Sequence, residues 1–128
     1  MGYVMRSAKE QKYMRLTFLG LITWNVLDHA LKDVYNELIR NGWYKIFVDT
    51  TRSNIIISPT ELYVFMRMFR SKFLMDATIV VLARPDQMEV VRFIENAPYN
   101  RMDLRSYMDE DTAYEWLGKS LRQAQQFT

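Results

Sequence analysis

The chain has 128 residues, nearly half of them apolar and a quarter charged, which fits one globular domain over residues 1–128 with a real core. A formal charge of +2 implies neither a nucleic-acid nor a membrane partner, and the absence of cysteine excludes disulfides, thiolate metal sites and cysteine nucleophiles. With no disulfide chemistry, the expected compartment is the cytoplasm.

Alternation opens the chain. Met14, Leu16 and Phe18 share one parity and Arg15 and Thr17 the other, which predicts a half-buried strand, with Tyr3-Val4-Met5 as its hairpin partner across the polar Ser7–Gln11 segment. Thr23 is placed as the N-cap of a helix whose Leu27, Leu31, Val34 and Leu38 recur at helical spacing. Gly42 ends that helix in the left-handed conformation. Tyr44–Thr50 is apolar on both parities, the pattern of an interior strand covered on both faces. Ile55, Ile56 and Ile57 then interrupt what should be a loop, and either extend the strand or fold back over an edge. Ser58-Pro59-Thr60-Glu61 is a capping box with proline at the first helical position. A second interior strand spans Thr78–Ala83, and Pro85 begins a helix with Val90, Phe93, Ile94 and Ala97 on its core face. A short strand, Leu104–Met108, and a helix capped by Asp109 follow, the helix burying Ala113, Trp116, Leu117, Leu121 and Ala124. Alternating strands and helices predict an α/β domain: a mainly parallel sheet, an N-terminal antiparallel strand pair and about four flanking helices.

Candidate chemistry is sparse. Asp49, with Thr50 and Thr51, forms a polar cluster at the end of an interior strand, the sheet edge where α/β proteins usually bind ligands. The further acids of a phosphoaspartate site are missing, so Asp49 is expected to bond loop amides. His29, the one histidine, falls opposite the leucine face and is expected in solvent. No metal site, cofactor or Gly-rich phosphate loop is expected, and the longest apolar run, Ala77–Ala83, is too short to span a membrane. The helix after Pro59 is apolar beyond its core stripe of Leu62, Phe65, Met66, Phe69 and Phe73. Tyr63, Val64, Met68 and Leu74 lie off that stripe, and the expected cover is the Ile55–Ile57 segment, a partner subunit or an apolar ligand.

The Leu19-Gly20-Leu21-Ile22-Thr23 stretch, Phe47-Val48-Asp49, Ser58-Pro59 and the closing Tyr107–Leu117 segment resemble the SpoIIAA-like branch of the STAS families. The resemblance covers about Tyr3 to Leu117. It implies a small sheet-and-helix module of the kind found in anti-sigma-factor antagonists, regulatory and not enzymatic. Those proteins carry a phosphorylated serine in an Asp-Ser-x-Gly type turn, and this chain departs from the pattern, having no glycine after Asp49-Thr50-Thr51 and placing Ser58 at the helix start. The functional expectation is a regulatory module with a protein partner, a homodimer through the second helix, or both, with Ser58 as the candidate phosphoacceptor. The alternative is a carrier of a small apolar or lipid-like molecule.

Overall fold

The computed structural model describes residues 2–70, 77–96 and 103–126, with the side chains of 65–70 and 119–126 outside that description. Its elements run β1 (Tyr3–Ala8), β2 (Tyr13–Phe18), β3 (Gly20–Ile22), α1 (Trp24–Asn41), β4 (Lys45–Asp49), β5 (Ser53–Ile55), α2 (Pro59–Arg70), β6 (Thr78–Leu82), a 3-10 turn (Pro85–Gln87), α3 (Met88–Glu95), β7 (Asp103–Tyr107) and α4 (Glu110–Gln126). The main sheet has the order β1-β2-β4-β6-β7. β1 and β2 are antiparallel, and every other neighbouring pair in that sheet is parallel.

Local chemistry explains the boundaries. Thr23 Oγ1 accepts the Val26 N–H at 3.2 Å and starts α1; Gly42, at φ +69°, ends it. At the head of α2, Ser58 Oγ accepts the Glu61 N–H while Glu61 Oε1 accepts the Ser58 N–H, each at 3.1 Å, which satisfies two otherwise orphaned donors. Asp109 Oδ2 caps α4 by accepting the Thr112 N–H at 3.0 Å.

Parity separates two cores. Met14, Leu16, Phe18, Ile46, Val48, Ile79 and Val81 face α1, α2 and α3, which contribute Ala30, Val34, Leu38, Leu62, Met88 and Val91. On the opposite face Phe47, Val80 and Leu82 meet Ala113 and Leu117 of α4. β4 and β6 are therefore buried along their whole length, as their unbroken apolar character predicts.

Several details differ from the sequence reading. Phe93 is 42% exposed, because Met88 and Val91 set the buried stripe of α3 and turn Phe93 away. The proline turn is a separate 3-10 segment before α3. Gly20–Ile22 is a strand, and it pairs in parallel with Ser53–Ile55 as a second, two-stranded sheet. The isoleucine run divides: Ile55 extends that sheet, Ile56 points outward and Ile57 enters the core. Ala97, Phe73 and Leu74 lie outside the described residues, and so do the side chains of Phe65, Met66, Phe69, Met68, Leu121 and Ala124.

Candidate functional site at the carboxyl edge of the sheet

β4 and β6 end side by side, Asp49 opposite Leu82, and the chain leaving β4 turns within a few residues to start β5. Asp49 is buried and anchors the turn: its Oδ1 accepts the Thr51 N–H at 2.9 Å and the Thr51 hydroxyl at 2.6 Å. This is the turn role expected of a strand-end aspartate. Its other oxygen, Oδ2, accepts Arg15 Nη2 at 3.0 Å.

Arg15 extends the site across the sheet. Its guanidinium lies 4.7 Å from the ring centre of Phe47 and also bonds Glu110 (3.1 Å) and the Tyr114 hydroxyl, both on α4. Tyr114 stacks on Phe47 with centroids 4.4 Å apart. A flat cation seated on an aromatic face and held by two carboxylates is a favourable, partly desolvated arrangement. Beside it Tyr13 has its phenol pushed up to about 12, first by burial and then by the neighbouring Tyr114.

The turn is gripped from the other side by the β6–α3 corner. Gln87, buried, donates through Nε2 to the carbonyls of Thr50 and Ser53, each at 2.9 Å, and accepts the Arg84 N–H at 2.9 Å. The Thr50 hydroxyl sits between Gln87 Oε1 (2.9 Å) and the Leu82 carbonyl (3.0 Å), its one proton available to either. Arg84 Nη1 donates to the carbonyls of Thr51 (2.8 Å) and Ser53 (2.9 Å), while Asp86 holds the same guanidinium in place. The Arg52 carbonyl accepts the Gly20 N–H at 3.2 Å, so each carbonyl from Thr50 to Ser53 has a partner. Such a turn is held in one shape before anything binds to it.

Of the sequence candidates, Asp49, Thr50 and Thr51 come together here. Thr50 is buried and Thr51 half-buried. Ser58 is exposed one short segment further on, at the head of α2, and Val64 on that helix is 45% exposed and Tyr63 half-buried. His29 is exposed on α1. Among the described residues no group of three or more His, Asp or Glu side chains could hold a metal. No helix of the described residues is long and apolar enough to cross a membrane.

Sequence reasoning missed Arg15, Arg84, Gln87 and Lys45. Gln87 had a signal: Arg84-Pro85-Asp86-Gln87 repeats the spacing of Ser58-Pro59-Thr60-Glu61, with proline first and an amide or acid two residues later. Arg15 had none, since the strand register that brings it beside Phe47 is a tertiary fact.

Neither a family model nor a curated protein matches the chain. Solved structures do. An uncharacterised protein of the DUF3478 family from Shewanella loihica PV-4, described as having a SpoIIAA-like fold, superimposes with a TM-score of 0.60 at 12% identity, covering 90% of this chain and 91% of its own. The chain has the SpoIIAA-like fold. The anti-sigma factor antagonist SpoIIAA in its unphosphorylated form is similar with a TM-score of 0.57 at 9% identity, covering 90% of this chain and 96% of its own. An anti-sigma factor antagonist from Mycobacterium paratuberculosis gives 0.57 at 14%, covering 90% and 92%. In this chain the β4–β5 turn stands at the sheet edge just described, and the helix head with Ser58 follows it.

Proposed function

We propose that the protein is a non-enzymatic regulatory module that binds a protein partner at the carboxyl edge of its sheet. The observation that carries this reading is a rigid turn bordered by bare apolar side chains. Leu21 of β3 and Ile56, the residue that follows β5, are 54% and 55% exposed. Apolar groups on a preformed surface lose little conformational freedom on docking, which is how interfaces gain affinity. Two solved proteins with this fold are described as anti-sigma factor antagonists, in keeping with a regulatory role. The test is Leu21→Lys combined with Ile56→Lys: both side chains face solvent, so the fold survives, while a partner cross-linked to the wild type in cells is lost. Turnover of any substrate that depended on Asp49 would defeat the reading.

Ser58 is the proposed phosphoacceptor. Its exposed hydroxyl stands at the head of α2, where a phosphate meets free backbone N–H groups and the positive end of the helix dipole. The same phosphate would displace Glu61 from its bond to the Ser58 amide, so modification rebuilds the helix entry. Ser58→Ala removes the cap at a cost of about 1 kcal/mol. If Ser58→Asp keeps the fold and leaves partner binding unchanged, the switch is refuted.

We also propose self-association through Tyr63, Val64 and Met68 of α2, with Leu74, which lies outside the described residues, as the further candidate from the sequence. The outward turn of Ile56 and the burial of Ile57 leave Val64 exposed, so the isoleucine segment does not cover it. Met68→Lys is expected to give a folded monomer by light scattering; a wild type that stays monomeric at high concentration excludes the dimer.

A further inference from the structure

The strand β1 ends the main sheet, and no described element pairs with its outer edge. Its bonding pattern can be read from the register. Leu19 N–H donates to the Gly2 carbonyl at 2.8 Å, in line with the pairing of Tyr3 to Phe18. In an antiparallel ladder bonded pairs alternate, so Val4, Arg6 and Ala8 bond inward to β2. The N–H and C=O groups of Tyr3, Met5 and Ser7 therefore point outward. Neither a proline nor a bulge interrupts these six residues, so the edge is a ready template for another strand.

Charge decides what that strand can be. The hairpin Tyr3–Phe18 holds four basic residues and one acidic, a local excess larger than the +2 of the whole chain. Arg15 is engaged by Asp49 and Glu110. Arg6, Lys9 and Lys12 are exposed and make no ion pair among the described residues. The face of β1 that carries Val4, Arg6 and Ala8 is on the α4 side of the sheet, while Tyr3 and Met5 pack toward α1. A second copy of β1 would bring Arg6 and Lys9 against like charges, which disfavours self-pairing. The turn Lys9–Lys12 offers no apolar residue to enter a bilayer, and three free cations are too few for tight nucleic-acid binding.

We propose that the outer edge of β1 is a docking site for an extended acidic protein segment, which adds as a sixth strand. Its backbone bonds Tyr3, Met5 and Ser7. Acidic side chains at alternate positions lie beside Arg6 and under the Lys9–Lys12 turn, and apolar ones between them extend the Tyr3–Met5 face. This edge is separate from the β4–β5 turn, and neither proposal depends on the other.

The probe is a blocked, fluorescein-labelled hexapeptide alternating valine and glutamate, titrated by fluorescence anisotropy, with amide exchange of the 15N-labelled protein followed by NMR. Expected are saturable binding and slowed exchange at Tyr3, Met5 and Ser7. N-methylation of the bonding face of the peptide should abolish binding. Arg6→Glu, a change at an exposed site, should weaken binding by about tenfold or more, since it puts like charges side by side. A Val–Lys peptide should then bind the variant better than the wild type. No binding by the glutamate peptide overturns the proposal. Binding indifferent to N-methylation shows charge attraction without strand addition and also overturns it. Arg6-dependent binding of phosphatidylserine vesicles or single-stranded DNA in preference to the peptide would assign the surface to another partner.

Discussion

Gln87→Leu removes the one side chain that ties the β4–β5 turn to the β6–α3 corner through both its donors and its acceptor. The structure allows its cost to be followed bond by bond. The Thr50 hydroxyl can turn wholly to the Leu82 carbonyl. The Thr50 carbonyl keeps the Ser53 N–H and hydroxyl, at 3.1 and 2.7 Å, and the Ser53 carbonyl keeps Arg84 Nη1. The Arg84 N–H alone is left without an acceptor among the described residues. An orphaned donor costs about 1–3 kcal/mol and each of the two lost amide bonds about 1, so the gross cost is about 3–5 kcal/mol; the apolar leucine recovers part of it, and we predict a net loss of about 3 kcal/mol. Urea unfolding followed by the fluorescence of Trp24, Trp43 and Trp116 reads this directly. Gln87→Glu refines the test: it keeps the acceptor for Arg84 but turns a carboxylate toward two carbonyls. Its destabilisation should therefore shrink as the pH is lowered and the carboxyl takes up a proton. A Gln87→Leu loss below about 1 kcal/mol would show that the turn holds its shape without this residue, and the rigid-edge argument would fail.

Lys45 is buried on β4, donates to the Leu117 carbonyl of α4 at 3.2 Å, and has its ammonium pulled down to about 8 by burial, against a smaller opposing pull from Asp103. Between that value and its ordinary 10.5 the unfolded chain binds more protons, so stability should rise with pH through this window. Tyr3 and Tyr13, raised from 10.0 to about 12 by the Asp33 bond and by burial respectively, act in the opposite sense above pH 10, so urea midpoints should peak near there. Lys45→Met should erase the rise and be neutral or stabilising at neutral pH; a steep loss would show that the ammonium is well compensated. Lys12 adopts φ +60°, and Lys12→Gly should relieve that strain for a net gain of about 0.5 kcal/mol after glycine's entropy is counted. A lower urea midpoint for Lys12→Gly would refute this account of the turn.

The fold was legible where one local rule acted alone. Ser58 with Glu61, Thr23, Gly42 and Asp109 fixed helix ends through bonds spanning a few residues, and uninterrupted apolar runs marked β4 and β6 as interior. Gly20–Ile22 was opaque because three residues carry no period, and only their partner Ser53–Ile55 makes them a strand. The site was half legible for the same reason. Asp49 bonds within its own turn, which sequence can suggest, but Arg15 and Gln87 reach it across 34 and 37 residues of chain. Phe93 misled because a short helix tolerates two readings of its apolar face, and the anchoring of Gln87 selects between them.

The covering of the second face by α4 has a consequence for synthesis. Phe47, Val80 and Leu82 are made long before α4, yet Ala113 and Leu117 are what close over them. Before α4 is made, the face packed by α1, α2 and α3 has its helices, while the other has none among the described residues. The water-facing phenylalanine and valine on that sheet are the groups a chaperone would grasp or a neighbouring nascent chain would stick to. Arg15 lies on that face as well, over the Phe47 ring, and Glu110 of α4 supplies the second of its two ion pairs beside Asp49.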